Sequence, residues 1–384
     1  MKFRLAFAGS SVQARAVCDG LPADVVALAL PPDVERIVAA AGGALIRPDW
    51  PRRYPNGSIV CETTVAVVHR RGNPTNFRSW ADLARPGVRI VVANPKTAGV
   101  ARWIFLALWG SKMAGKGDGG GSGGGGGEGG GGNGKRRRRR KASAADEAAA
   151  RDYVTRVFDN VVVQPRDARE ASDVFYRQKL GDLLLTYENE AVLTNAVVGA
   201  AKALPYVVPS PNVRIECPLA LVDGVLDKRP ASARDAADAF ARFLFTPGAQ
   251  AEFGRAGFRP NPRLSREVPE HVRASGSAGV RLWSVDGALG GWAAAQAELF
   301  DPGRVLDQVQ ADVGGRRMEA QRAEASAASA ARWEGVGRAL FGWMGGGGGG
   351  GNGGGGAAGG GRQQRGRGGA AGGGGDARLA SASP

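Results

Sequence analysis

Val88-Arg89-Ile90-Val91-Val92-Ala93-Asn94-Pro95-Lys96-Thr97-Ala98-Gly99-Val100-Ala101-Arg102-Trp103, running on through Ile104-Phe105-Leu106-Ala107-Leu108-Trp109, is the stretch on which the fold of this chain turns. Its apolar opening has the length and β-branched content of a buried strand. Asn94-Pro95 breaks the strand, because proline cannot donate to a ladder. From Gly99 to Trp109 the residues are apolar and suit a helix. Strand, turn and helix in that order bring the unpaired N–H groups of the first helical turn, and the positive end of the helix dipole, to one point, which is how a protein holds an oxyanion. The same unit is also the plainest building block of an α/β domain, so these residues alone leave both readings open.

Working outward, Met1–Ala8 reads as a strand that turns at Gly9-Ser10-Ser11 into a helix ending near Cys18, with Ser10 suited to cap it. Ala23–Leu30 is a continuous apolar run fitting a strand covered on both faces. Pro31-Pro32-Asp33 then starts a helix over Val34–Ala40, Asn56-Gly57 marks a turn, and Ile59–His69 reads as one long strand. Farther on, Ala144–Phe158 suits a helix, Val161–Gln164 a strand, and Pro165-Arg166-Asp167-Ala168-Arg169 a second turn fit for an anion before a helix over Ala171–Lys179. Gly181–Tyr187 is the next buried strand. Helices are expected at Arg234–Phe245, Ala249–Ala256 and Trp292–Phe300.

The segment Asn94–Trp103, with Gly72-Asn73-Pro74 and Trp80-Ala81-Asp82-Leu83 ahead of it, resembles the sulfate-binding proteins of bacterial-type ABC importers. Three further segments match in the same order: Ala23–Leu30, Gly181–Ala191, and Gly290-Gly291-Trp292 through Asp307-Gln308-Val309. The resemblance implies an α/β, two-lobed periplasmic-binding-protein-like fold of type II, each lobe a mixed sheet flanked by helices, with disordered glycine-rich insertions. Residues 1–68 would open the first lobe. Residues 69–208 would form the second lobe, interrupted by a disordered insertion at 111–143. Residues 209–312 would return to the first lobe and supply C-terminal helices, and 313–384 would be a low-complexity tail.

On the same basis Ser10 would give a hydroxyl to the sulfate, Thr97, Ala98, Gly99 and Val100 would line it, Ala168 would give a backbone N–H, and Tyr187 would stand where the family has a tryptophan donor. Arg169 would lie behind them. Family members have Ser-Gly-Gly where this chain has Ala98-Gly99-Val100, so one hydroxyl is missing; a hydrogen bond to a charged ligand is worth about 1.5–3 kcal/mol, or roughly ten- to a hundredfold in affinity. Weaker sulfate binding, or another oxyanion such as thiosulfate or molybdate, is therefore expected. Members also begin with an additional strand that has no counterpart here, so an upstream piece with a targeting segment is expected. The implied partners are the oxyanion and the permease subunits of an ABC importer, with no cofactor, and the protein is expected to be a monomer. Bacterial members are periplasmic; the glycine homopolymers suggest a GC-rich eukaryotic genome, for which the resemblance implies the chloroplast envelope.

Composition bounds the alternatives. With 384 residues, 43% of them hydrophobic, the chain can bury the cores of two domains. Most of the 62 glycines fall in Gly117–Gly134 and Gly345–Gly375, which cannot bury enough apolar surface to offset chain entropy. About half of the net charge of +15 lies in and beside these tracts, much of it in the run Lys135–Lys141. Such a run, with the Arg/Gly-rich segment Gly361–Gly368, could bind RNA, and a non-transporting RNA-binding protein is the reading from another class. Nucleic-acid binding is disfavoured because the family pattern resumes in register beyond the run. Cys18, Cys61, Cys217, His69 and His271 have no metal-ligand spacing. Glu188 and Glu190 follow a strand without a base or nucleophile beside them, so no catalytic residue is assigned and an enzyme is the least favoured class.

Overall fold

Thr64 is where the chain passes from one β-sheet to another, and two lobes follow from that passage. The computed structural model describes residues 2–113, 143–261, 264, 265 and 267–344, with side chains as far as residue 329. The strands in chain order are β1 (Val25–Ala27), β2 (Ile59–Thr63), β3 (Val65–His69), β4 (Ile90–Val91), β5 (Val161–Val163), β6 (Leu183–Tyr187), β7 (Tyr206–Val207), β8 (Asn212–Val213), β9 (Ile215–Leu221), β10 (Arg259–Pro260) and β11 (Leu282–Trp283). One sheet has the order β1-β9-β2-β10, the other β5-β4-β6-β3-β7, and β11 pairs with β8 alone.

The second sheet contains the strand on which the sequence turns. β4 lies between β5 and β6, parallel to both, while β3 runs antiparallel to β6 and β7, so the sheet is mixed. The helix Gly99–Met113 follows, and eleven of its fifteen residues are buried. A helix apolar on every side is a core helix, and burying each large side chain contributes about 1.5–3 kcal/mol. Phe105 meets Phe158 and Phe300, and Trp103 meets Trp292 edge-on at 4.7 Å. Gly110 has no room for a side chain, because a Cβ there would stand 2.1 Å from Trp283.

The first sheet is antiparallel throughout. Ala14, Val34, Ile37 and Ile46 form one of its apolar clusters, and Tyr54, Leu219, Leu221 and Phe245 belong to the other. Ala23–Leu30 yields only the three-residue β1, at the sheet margin and antiparallel to β9, rather than an interior strand covered on both faces. Residues 2–9 form no strand, and Phe3, Leu5 and Phe7 are more than half exposed because neither sheet offers them a partner.

Ile59–His69 is two strands, not one. The break is Thr64, whose hydroxyl donates to the Val213 carbonyl at 2.8 Å, tying the outward passage between the sheets to the return. β3 therefore belongs to the second sheet, whereas the sequence assigned residues up to 68 to the first lobe. The C-terminal side chains Val285, Ala295, Leu299, Phe300, Leu306 and Val309 pack into the cluster around Gly99–Met113, so they join the core beside the second sheet.

The described residues up to Arg322 form one compact unit. The helix Val305–Met344 continues beyond it, so the first part of the expected low-complexity tail is helical. Its Ala, Glu and Arg residues are strong helix formers, a property the glycine-rich remainder masks in bulk composition. At the expected insertion 111–143, Ser111–Met113 finish one helix and Ser143 caps the next. The intervening glycine tract, the run Lys135–Lys141 and residues 345–384 lie outside the described residues.

Candidate functional site

Each helix start singled out in the sequence presents backbone N–H groups with no partner in its own helix. In Ser10–Cys18 the Gly9 carbonyl accepts from Val12 and Gln13, both at 3.0 Å, which leaves the N–H groups of Ser10 and Ser11. In Gly99–Met113 the Ala98 carbonyl accepts from Ala101 and Arg102, and the Ala98 N–H donates to Asn94 at 2.9 Å, which leaves Gly99 and Val100. In Ala168–Tyr176 the Asp167 side chain caps Glu170 at 2.9 Å and its carbonyl takes Ala171, which leaves Ala168 and Arg169.

These starts belong to one neighbourhood. A Cβ on Gly9 would stand 3.1 Å from the Thr97 carbonyl oxygen, and one on Gly99 3.1 Å from Leu30 and 3.5 Å from Ala29. Glycine at both positions lets the two segments approach that closely. Ala29 donates to the Ser10 hydroxyl at 3.2 Å and accepts from the Trp103 indole at 2.7 Å. The third start is joined on through Thr97 Oγ1 donating to Arg166 at 2.8 Å and the Asn94 N–H donating to Pro165 at 2.7 Å.

Tyr187, at the end of β6, is half-buried as a residue, but its hydroxyl is fully buried and has no protein partner. Burial pushes its pKa well above the ordinary phenol value, and the fields of Cys217, Asp33 and Glu190 add to the shift. The group stays protonated and available as a donor.

The structure alters two expected roles. Ser10 is not the cap; Gly9 is, and Ser10 is the first helical residue. Its hydroxyl proton is given to Asp33 Oδ2 at 2.6 Å, so what Ser10 has to offer is its N–H. Thr97 likewise directs its hydroxyl to the Arg166 and Asn94 carbonyls. Ala98 is buried beside them and its N–H is already used. Arg169 is exposed, and its charge acts on Glu190, whose carboxyl is pushed up by burial.

Asp33 is the residue that sequence reasoning missed. It is fully buried and accepts from Ser10 and, at 3.0 Å, from Ser11. Asp in the first turn of a helix that opens on two prolines reads as a helix-start residue, and only the fold brings it against Ser10. Its field reaches the Arg102 guanidinium, which burial holds below its ordinary value. Among the described residues no group of three or more His, Cys, Asp or Glu could hold a metal ion. The three helix starts offer six backbone N–H groups, two each, and Tyr187 at the end of β6 adds a phenol; all are neutral donors.

Residues 1–259 match the family model described as bacterial extracellular solute-binding protein. The chain is 39% identical over 322 residues to the sulfate-binding protein of Synechococcus elongatus, covering 82% of this chain and 79% of that one. It is 31% identical over 307 residues to a thiosulfate-binding protein of Pseudomonas aeruginosa, covering 80% and 81%. Among solved structures it is similar to the sulfate-binding protein SubI of Mycobacterium tuberculosis, with a TM-score of 0.58, 31% identity, and coverage of 76% of this chain and 86% of that one. The two-lobed arrangement of mixed α/β layers and these matches lead to one conclusion: the chain belongs to the bacterial extracellular solute-binding protein family.

Proposed function

We propose that this protein binds sulfate between its two lobes and delivers it to the permease of an ABC-type importer. The observation that carries the reading is the meeting of three helix starts, at Ser10, Gly99 and Ala168, each with N–H groups that have no partner in its own helix. Helix N-termini favour anions through their dipoles and free N–H groups. Similarity to sulfate-binding proteins from S. elongatus and M. tuberculosis supports the choice of anion.

The chemistry of the donors supports it as well. Hydrogen phosphate carries a proton that needs an acceptor. The donors singled out at the three helix starts are N–H groups, and the nearby Asp33 is turned toward the Ser10 and Ser11 hydroxyls, so a protonated anion facing those N–H groups would bring an unsatisfied donor at about 1–3 kcal/mol. Sulfate brings none. Closing of the lobes over the anion would present one face to the permease. The compartment we infer is the periplasm in a bacterium and the plastid envelope in a plastid-bearing eukaryote; a cyanobacterial relative is compatible with either.

Thiosulfate is the second reading, favoured by the match to the P. aeruginosa protein and by Ala98, which lacks the hydroxyl that the family's serine supplies. Calorimetric titration with sulfate, thiosulfate, molybdate and hydrogen phosphate is the test. Sulfate or thiosulfate is expected to bind and hydrogen phosphate to bind far more weakly. Undetectable binding of all of them overturns the proposal.

A further inference from the structure

Cys61 and Cys217 stand directly opposite each other across the antiparallel pair β2 and β9. Both are free thiols. Opposed residues in such a pair have Cα atoms about 4.5–5.5 Å apart, inside the roughly 4.4–6.8 Å that a disulfide spans. The register of this pair shifts between Ile59 and Cys61, and irregular pairing at that point gives the backbone some freedom to adjust. Cys61 is buried at 2% exposure, whereas Cys217 is half-buried and accessible to a small reagent. Cys18 is elsewhere, at the end of the helix Ser10–Cys18 against a different apolar cluster.

We propose that Cys61 and Cys217 are a redox-active pair that closes reversibly to an intramolecular disulfide, and that closure changes anion affinity. The second half rests on the anion-site reading above. The reaction is thiol–disulfide exchange with a small-molecule disulfide as oxidant. The Cys217 thiolate attacks one sulfur of the oxidant, forms a mixed disulfide and releases one thiolate. Cys61, once deprotonated, attacks the Cys217 sulfur, closes the protein disulfide and releases the second thiolate. The protein gives up two electrons and two protons, and the oxidant becomes two thiols.

The order of attack follows from accessibility. Burial, then contact with Cys217, pushes the Cys61 thiol well above its ordinary pKa, so ring closure is the slow step and quickens about tenfold per pH unit below that value. The route to the anion site is short. β2 ends one residue before the passage at Thr64, β9 begins two residues after the return strand β8 ends, and Val65, just past the passage, stands opposite Tyr187 across β3 and β6.

The test uses the whole protein in glutathione buffers of graded oxidised-to-reduced ratio, read by intact mass and by peptide mapping without reduction. The expected result is loss of two hydrogens, a linked Cys61–Cys217 peptide, full reversal by reduced glutathione, and the same behaviour in Cys18→Ser. No cross-link, or a glutathione adduct on Cys217 that never resolves, overturns the proposal. Calorimetry with sulfate on the reduced and oxidised forms is expected to differ by about fivefold or more, the lower end of ordinary coupling between sites. Equal affinities overturn the coupling. A reduced protein that binds no sulfate overturns the anion reading instead, and the cross-link remains supported by the mass measurement.

Discussion

Replacing Tyr187 by phenylalanine should move two measurable quantities in opposite directions. The phenol is buried and no protein atom accepts its proton or donates to it. Leaving such a group unpaired costs about 1–3 kcal/mol, and Tyr187→Phe removes the cost while keeping the ring. The anion-free variant should therefore unfold at higher urea, with the slope of the transition unchanged. The same hydroxyl, donating to a bound anion, is worth about 1.5–3 kcal/mol, so Tyr187→Phe should weaken sulfate roughly ten- to a hundredfold. Urea titration followed by fluorescence, and calorimetry with sulfate, read the two effects on the same samples. A less stable variant would mean that the hydroxyl is paired in the free protein. Unchanged affinity would mean that it does not reach the ligand. The first result refutes the unpaired hydroxyl, and the second refutes the placement of Tyr187 in the site.

Three other outcomes are expected. Ala98→Ser restores a hydroxyl at the residue preceding Gly99 and should tighten sulfate about tenfold or more by calorimetry, with a helix-cap gain of about 1 kcal/mol in stability. Arg259 makes two hydrogen bonds to the fully buried Glu188, at 2.6 and 3.0 Å; Arg259→Ala leaves that carboxylate with Ser277 and should cost about 3–5 kcal/mol in urea denaturation. Glu216 has its carboxyl pushed up to about 7 by burial, then by Glu62 across the strand pair. Its folded pKa exceeds the unfolded one, so the folded state holds the proton more tightly and stability falls as pH rises from about 4.5 to 7. The loss, discounted for partial exposure, is roughly 1–3 kcal/mol, and Glu216→Gln should remove most of it when denaturation is compared at the two ends of that range, Glu62 keeping a smaller dependence of its own.

The centre of the fold was legible because its residues are apolar in long runs. Gly99 to Trp109 is long enough for a helix and follows the break at Asn94-Pro95, so a core helix starting at Gly99 is read from sequence. The margins were not legible. Nothing in Val25 to Ala27 says that the strand pairs antiparallel at a sheet end, because continuous apolar runs do not encode direction. Thr64 looks like one more β-branched strand residue until its hydroxyl is seen bridging to Val213. The three helix starts were identified from turn chemistry and the resemblance. The role of Ser10 was not, because its hydroxyl goes to Asp33, a residue 23 positions away that only tertiary structure brings near. That residues 313–344 continue a helix was not legible, because the glycine content beyond them dominates the composition.

The helix Gly99–Met113 has one further consequence. Fifteen residues at about 1.5 Å each make a rod of roughly 22 Å. Its first turn carries N–H groups of the proposed anion site, and its last turn is where the glycine and arginine insert joins the chain. Ser143, where the chain resumes, starts a helix that runs back antiparallel, with Lys112 over Tyr153 and Phe105 against Phe158. Both splice points thus sit at the far pole of the rod. A change of length or charge between those two points is therefore expected to leave the helix start at Gly99, and the anion site proposed there, in shape.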